Sequence, residues 1–275
     1  MSNYFLDVFH GVKDYGWHIL WVSMLLFGAE LVFGRNHYSL QSRAKAALFW
    51  FFYILITVMF FAVFNKFWAS LGIKPLIRLD LSAFPASSNR LVSMMGLVLM
   101  PILGGIWAEF FYYWFHRLQH TSRFMWAFHR EHHSLREMSA WNSAHHFTEE
   151  IFRIPFVTLP MTLLMQMDIG PVPLFMAVLM GMQGQFEHSH TRLNLGALRY
   201  VVADNCYHRI HHSLEERHWN KNFGSFTSVW DNLFGTAYFP AKNEWPDTGL
   251  AELAEPKTLS EYLFRPWKKV LGMVR

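Results

Sequence analysis

LVSMMGLVLMPILGGIWAEFFYYWFHRLQH, residues 91–120, runs from a lipid-compatible stretch straight into a pair of histidines. Residues 91–115 carry one carboxylate, Glu109, and no cation. A helix of that length and apolarity crosses a hydrocarbon core about 30 Å thick. His116 and His120 follow at a spacing of four, so a helix that continues through them places both rings on one face, just past the span. Glu109 lies seven residues before His116, nearly in line with it, and Tyr112 lies four before it. An ionisable side chain inside an apolar span marks a functional position. Glu109 is therefore expected to accept a hydrogen bond that orients a ligand ring.

The rest of the chain fits this lipid setting. Of 275 residues, 52% are apolar and 18% aromatic, while charged residues fall to 16%, against about 25% in soluble domains. Two further apolar stretches, 17–33 and 46–64, are long enough to span. A fourth apolar region, 151–186, is interrupted by Pro155, Pro160, Asp168, Gly170, Pro171 and Pro173. It reads as a helical hairpin turning at DIGPVP, residues 168–173. Asp7, Lys13 and Asp14 ahead of the first span, with no small-residue cleavage motif after it, argue against a cleaved signal.

Basic residues of short loops mark the cytoplasmic side. Arg35, Arg43 and Lys45 follow the first span, and Arg117, Arg123, Arg130, Arg136, Arg192, Arg199, Arg209, Arg217 and Lys221 follow the third. These two regions are expected to share that side, with residues 65–90 opposite. The net charge of +4 and the basic end, Arg265, Lys268, Lys269 and Arg275, suit anionic lipid headgroups rather than nucleic acid.

Thirteen of the 16 histidines fall between residues 116 and 218. FHREHHS (128–134) and YHRIHHS (207–213) each carry histidines at i, i+3 and i+4: His129, His132, His133 and His208, His211, His212. Each triplet reads as a claw, and two claws suit a paired metal centre, since these rings exceed what one tetrahedral zinc needs. Imidazole favours zinc, copper, iron or nickel over magnesium and calcium. The single cysteine, Cys206, provides neither a disulfide nor a thiolate metal site. His188 of FEHSH is a ninth expected ligand. His145, His146, His190 and His218 are expected in support, with His146 counted beside Glu109 and Tyr112 as a candidate catalytic residue. His10, His18 and His37 read as interfacial or hydrogen-bonded side chains. Ser134 and Ser213 read as caps or ligand supports. No HExxH, GxSxG, Walker or GxGxxG motif occurs, and HRE at 129–131 lacks a PCxxC partner.

In the order HRLQH, FHREHHS, FEH, YHRIHHS and NFGSFTSVWDNLFGT, the chain from about Glu109 to Tyr238 resembles the fatty acid hydroxylase/sterol desaturase superfamily of membrane-bound, histidine-rich diiron oxygenases. Many members carry Arg two positions before His146 and Pro after it, where Ala144 and Phe147 stand here, and position 109 is often Asp. The resemblance implies an all-α integral membrane protein, a transmembrane stem capped by a cytosolic helical region. It implies two irons on His116, His120, His129, His132, His133, His188, His208, His211 and His212. The expected organisation is a stem over 1–115, a diiron region over 116–240 that includes the 151–186 hairpin, and a basic tail over 241–275. The implied activity is oxygen-dependent hydroxylation or desaturation of a membrane lipid, with electrons from a cytochrome b5 or a ferredoxin and its reductase. The implied location is a bacterial inner membrane or the endoplasmic reticulum. The alternative is a non-catalytic membrane metal- or haem-binding protein.

Overall fold

The computed structural model describes residues 4–34, 38–172 and 174–272; His37, Arg35, Pro173 and Arg275, named above, lie outside them. Three long helices dominate: α1 (Tyr4–Phe33), α2 (Leu40–Ser70) and, after a short strand β1 (Ile77–Asp80), α3 (Arg90–Thr121). By length and composition all three could cross a membrane, as their apolar runs predict. Their outward side chains are apolar, with Trp17, Leu31, Val63 and Leu103 all exposed. Such an apolar surface suits lipid. The caps set the starts: Ser39 Oγ accepts from Ser42 N at 3.1 Å, and Asn89 Oδ1 accepts from Leu91 N at 3.0 Å.

Length explains the placement of the first histidine pair. At about 1.5 Å per residue, His116 stands about 39 Å along α3 from Arg90, beyond a hydrocarbon core of about 30 Å. The chain then breaks at Ser122 and folds back as α4 (Arg123–His133), which packs on α3.

The 151–186 region departs from a simple helical hairpin. It begins in α5 (Thr148–Arg153), passes through a π-helical turn (Ile154–Thr158) and α6 (Leu159–Leu164), then straightens into strand β2 (Met165–Asp168). β2 pairs in parallel with β1, Ile77 opposite Met165 and Asp80 opposite Asp168. The turn lies where expected: Gly170 adopts a left-handed φ of 69° and donates its N–H to Asp168 Oδ1 at 3.0 Å. α7 (Leu174–Phe186) returns toward the histidines. Met-Gln-Met-Asp becomes a strand because β1 offers its backbone groups there, a long-range partner invisible to local periodicity. Among the described residues the other regular elements are helices.

α8 (Asn205–His211), α9 (Val229–Phe234) and α10 (Leu259–Val270) complete the molecule. α8 is started by Asp204, whose Oδ1 accepts from Tyr207 N at 2.8 Å. α10 lies against α4 and α2. Its Arg265 pairs with the buried Glu131 of α4, Nε donating to Oε2 at 2.9 Å. A buried network joins the stem to the layer above it. Glu30 of α1 accepts from Arg43 Nη1 at 3.1 Å and from Ala140 N at 2.9 Å, and stands 3.2 Å from His190 Nδ1.

Candidate metal centre

α3, α4, α8 and the end of α7 bring nine histidines together in two groups. His116, His120, His129, His133 and His211 form one; His132, His188, His208 and His212 form the other, with the ligand atoms of each group within 4.8 Å of one another. Eight of these rings stand in the spaced motifs, and His188 joins them from FEHSH. Their distribution differs from one claw per triplet. Each triplet is shared: His129 and His133 enter the first group and His132 the second, while His208 and His212 enter the second and His211 the first. Helix geometry explains the split. Residues i and i+4 point nearly the same way, whereas i+3 and i+4 diverge by about 100° around the axis.

The contacts within the groups are between Nε2 atoms. His116 and His129 stand 3.0 Å apart, His129 and His133 3.1 Å, His132 and His188 3.0 Å, and His208 lies 3.2 Å from both His188 and His212. Several of these rings have Nδ1 committed elsewhere. His116 donates to Phe223 O at 2.6 Å, His129 to Glu149 Oε1 at 3.0 Å, His188 to Gly184 O at 2.6 Å and His211 to Lys221 O at 2.7 Å. In a neutral ring a donating Nδ1 leaves Nε2 as a bare lone pair. Burial favours neutrality, lowering His129 below the ordinary imidazole range and His188 and His211 to about 3. Lone pairs therefore face one another at 3.0 Å between His116 and His129. That arrangement makes no hydrogen bond, and it suits a cation. Two nitrogens about 2.1 Å from one metal and at right angles around it stand about 3.0 Å apart. The buried Nε2 atoms of His120 and His211 likewise have no hydrogen-bond partner. The donor set thus fits a pair of imidazole-binding metal ions.

The supporting residues are carboxylates and backbone carbonyls. Glu149 holds His129 through one oxygen and His145 through the other, at 3.0 and 2.9 Å; His145 in turn stacks on His132, ring centroids 3.7 Å apart. Carboxylates in this position fix a ligand ring's tautomer and orientation. Glu187 lies 3.7 Å from His188 Nδ1 and 3.6 Å from His208 Nδ1. Burial pushes its carboxyl well above the usual range.

The segment Asn222–Phe226 provides the carbonyl under His116 and is itself clamped. Asp231 accepts from Phe223 N at 2.9 Å, Gly224 N at 2.7 Å and Thr236 Oγ1 at 2.6 Å. A Cβ on Gly224 would meet Thr227 O at 2.1 Å, so only glycine fits. These contacts give NFGS and WDNLFGT their physical meaning as one support for the histidine layer.

Glu109 and His146 take other places than expected. Glu109 is buried but touches no histidine; its Oε1 accepts from Ser225 N and Phe226 N. Its reach along α3 meets the Ser225 backbone first. Tyr112 faces His116 at 5.4 Å between ring centroids and lies under the Arg153 guanidinium at 4.9 Å. His146 is outside both groups: Nδ1 pairs with Thr148 Oγ1 at 2.7 Å and Nε2 donates to Leu263 O at 3.3 Å, fastening α10 to the start of α5. His190 joins the Glu30 network, and His218 lies between Ser213 Oγ at 2.8 Å and Glu244 Oε1 at 3.1 Å. Ser134 caps α4 and donates to Glu131 O at 2.7 Å. His18 meets Gly181 O at 3.1 Å, and His10 is exposed. Glu149, Glu187 and Asp231 escaped the sequence reading because lone carboxylates carry no spacing signal.

Two cavities reach the histidines from different sides. One of about 570 Å³ touches His145 and His188 and is walled by α1, α2, α3 and α7. The other, about 250 Å³, touches His120, His133 and His211 beside Trp126 and Trp219.

Residues 101–236 match the sequence profile of the fatty acid hydroxylase family. Alkylglycerol monooxygenase of Homo sapiens is 30% identical over 164 residues, which are 58% of this chain and 36% of that protein. Ornithine lipid hydroxylase OlsE of Rhizobium tropici is 31% identical over 167 residues, 56% of this chain and 49% of that protein. The match thus spans half or less of each of these relatives. No solved structure matches the chain.

Proposed function

Residues 101–236 make this chain a member of the fatty acid hydroxylase family, and from that premise we propose that it is a membrane-bound diiron enzyme that hydroxylates a lipid with dioxygen. The observation that carries the reading is the five-and-four division of nine buried histidines whose Nε2 atoms face one another. Neither set leaves room for a haem macrocycle between facing rings, which weighs against a bis-histidine cytochrome. Three protein ligands suffice for a zinc hydrolase, so hydrolysis leaves most of these rings unexplained. Bound there, two irons would supply oxygen activation and the oxidation of an unactivated C–H bond. One oxygen atom enters that bond, and the other leaves as water with electrons and protons from a donor.

The chain's own residues set up this chemistry. Glu149 and the carbonyls of Phe223, Gly184 and Lys221 hold ligand rings with Nε2 inward. The cavity against His145 and His188 is the lipid site, and the one against the five-histidine group serves the other reactants. In this reading residues 1–115 form the stem, 116–240 the catalytic layer and 241–275 a basic clasp. The histidine layer faces the cytoplasm of a bacterium or of a cell with an endoplasmic reticulum, where a cytochrome b5 or ferredoxin delivers electrons.

The test is oxygen bookkeeping. Membranes containing the chain, incubated with glycerolipids, a reductase system and ¹⁸O₂, should yield a lipid alcohol carrying the label. An unlabelled alkene would instead mean desaturation, and undiminished turnover without oxygen or a donor would refute the oxygenase reading.

A further inference from the structure

The cavity beside the four-histidine group has a polar belt close to the chemistry and an apolar continuation away from it. Glu150 accepts from Arg153 Nη1 at 2.7 Å and from the Tyr53 hydroxyl, and Arg153 covers Tyr112. These side chains line the same cavity as His145 and His188. Arg153 is followed at once by the π-helical turn Ile154–Thr158, a rare element that recurs at functional sites.

Farther along α3 the walls change character. Gly105, Ala108, Met161 and Met180 also border a second cavity of about 590 Å³, whose lining extends to Met165, Ile169 and Val172 at the β2 end. The two cavities therefore adjoin, and Gly105 stands at their boundary. A Cβ on Gly105 would lie 2.8 Å from Phe226 Cε1 and 2.9 Å from Met180 Cε. The passage between the cavities has no space for a larger side chain at that point.

Resting on the hydroxylase reading above, we infer that the substrate binds head inward. Its polar head sits at the Tyr53–Glu150–Arg153 belt, and its chain runs past Gly105 into the second cavity. The oxidised C–H bond is then close to the head group rather than near the chain terminus. The belt narrows the head further. Its one guanidinium, Arg153, is already held by Glu150 and covers Tyr112. An anionic phosphate head would have to displace Glu150 from Arg153, whereas a neutral head with both donors and acceptors matches the belt. A cavity of about 570 Å³ lies in the usual range for a small-molecule site.

Photocrosslinking reads the orientation without requiring turnover. Purified, iron-loaded protein in nanodiscs is irradiated with a long-chain monoacylglycerol carrying a diazirine at the chain terminus, and adducts are mapped by mass spectrometry. Adducts at Met165, Ile169 or Val172, lost in Gly105→Leu and competed by unlabelled monoacylglycerol better than by phosphatidic acid, are expected. Thermal melting and iron content of Gly105→Leu report its folding, and Gly105→Ala, which displaces only Met180 and Phe226, should reduce the same adducts if the larger variant fails. Adducts beside Gln185 or His145 would mean that the chain enters first and overturn the inference. Adducts confined to the outer faces of α1–α3 would overturn it equally. If labelled oxygen still enters lipid in either case, head-inward binding fails while the hydroxylase reading stands.

Discussion

Glu149 shows how a single side chain conditions the centre. It is buried and touches two histidine rings at once. Glu149→Ala removes the acceptor that keeps His129 Nδ1 protonated and its Nε2 free. Loss of such a partner costs about 10- to 100-fold in metal affinity. The chelator concentration that strips half the iron should fall by that factor in Glu149→Ala, whereas in His10→Ala it should match the unmodified protein.

The histidines also set a pH dependence. Burial lowers the pKa of His129, His132, His133, His208 and His212, and takes His188 and His211 to about 3. Below about 6.5 the unfolded chain takes up protons that the folded rings refuse. Stability therefore rises with pH through that window and is lost on acidification, by about 1.4 kcal/mol per pH unit for each such group. Metal release adds to the loss. Melting temperature and iron retention should be flat above about pH 7 and fall steeply toward pH 5. A flat profile down to that pH would show that these rings are not held neutral.

At the scale of elements, α10 acts as a clasp on α4. Glu131 is almost completely enclosed, and Arg265 is its cationic partner. Removing one member of a buried pair strands the other. Arg265→Ala should destabilise the protein by about 2–3 kcal/mol, a discount for the partly exposed arginine. Adding Glu131→Gln should recover part of that, as melting of the single and double variants would show. Elements also mark the limit of what the sequence discloses. Repeated spacing made eight of the nine histidines legible, and apolar length the three long helices, because both are local features of the chain. The division of each triplet depends on how α4 and α8 meet. The β1–β2 pair joins residues far apart in sequence, and Glu109 ends on a loop more than a hundred residues away. No local pattern carries those contacts.

At the scale of the whole molecule, the proposed three-span topology puts the α1–α2 loop and the α8–α9 region on one side of the membrane and the β1 loop on the other. In a Cys206→Ser background, Gln41→Cys and Glu216→Cys should react alike with an impermeant thiol reagent, and Lys74→Cys oppositely; all three sites are exposed. Identical labelling of all three would contradict the crossings of α2 and α3.

The central claim is that nine histidines form two metal sites rather than one. The most direct measurement is the metal content of purified, iron-replete protein, compared with His132→Ala and His211→Ala. Two irons per chain are expected, with each variant losing iron because each removes a ligand from a different group. One iron per chain, or full iron in both variants, would contradict the paired centre.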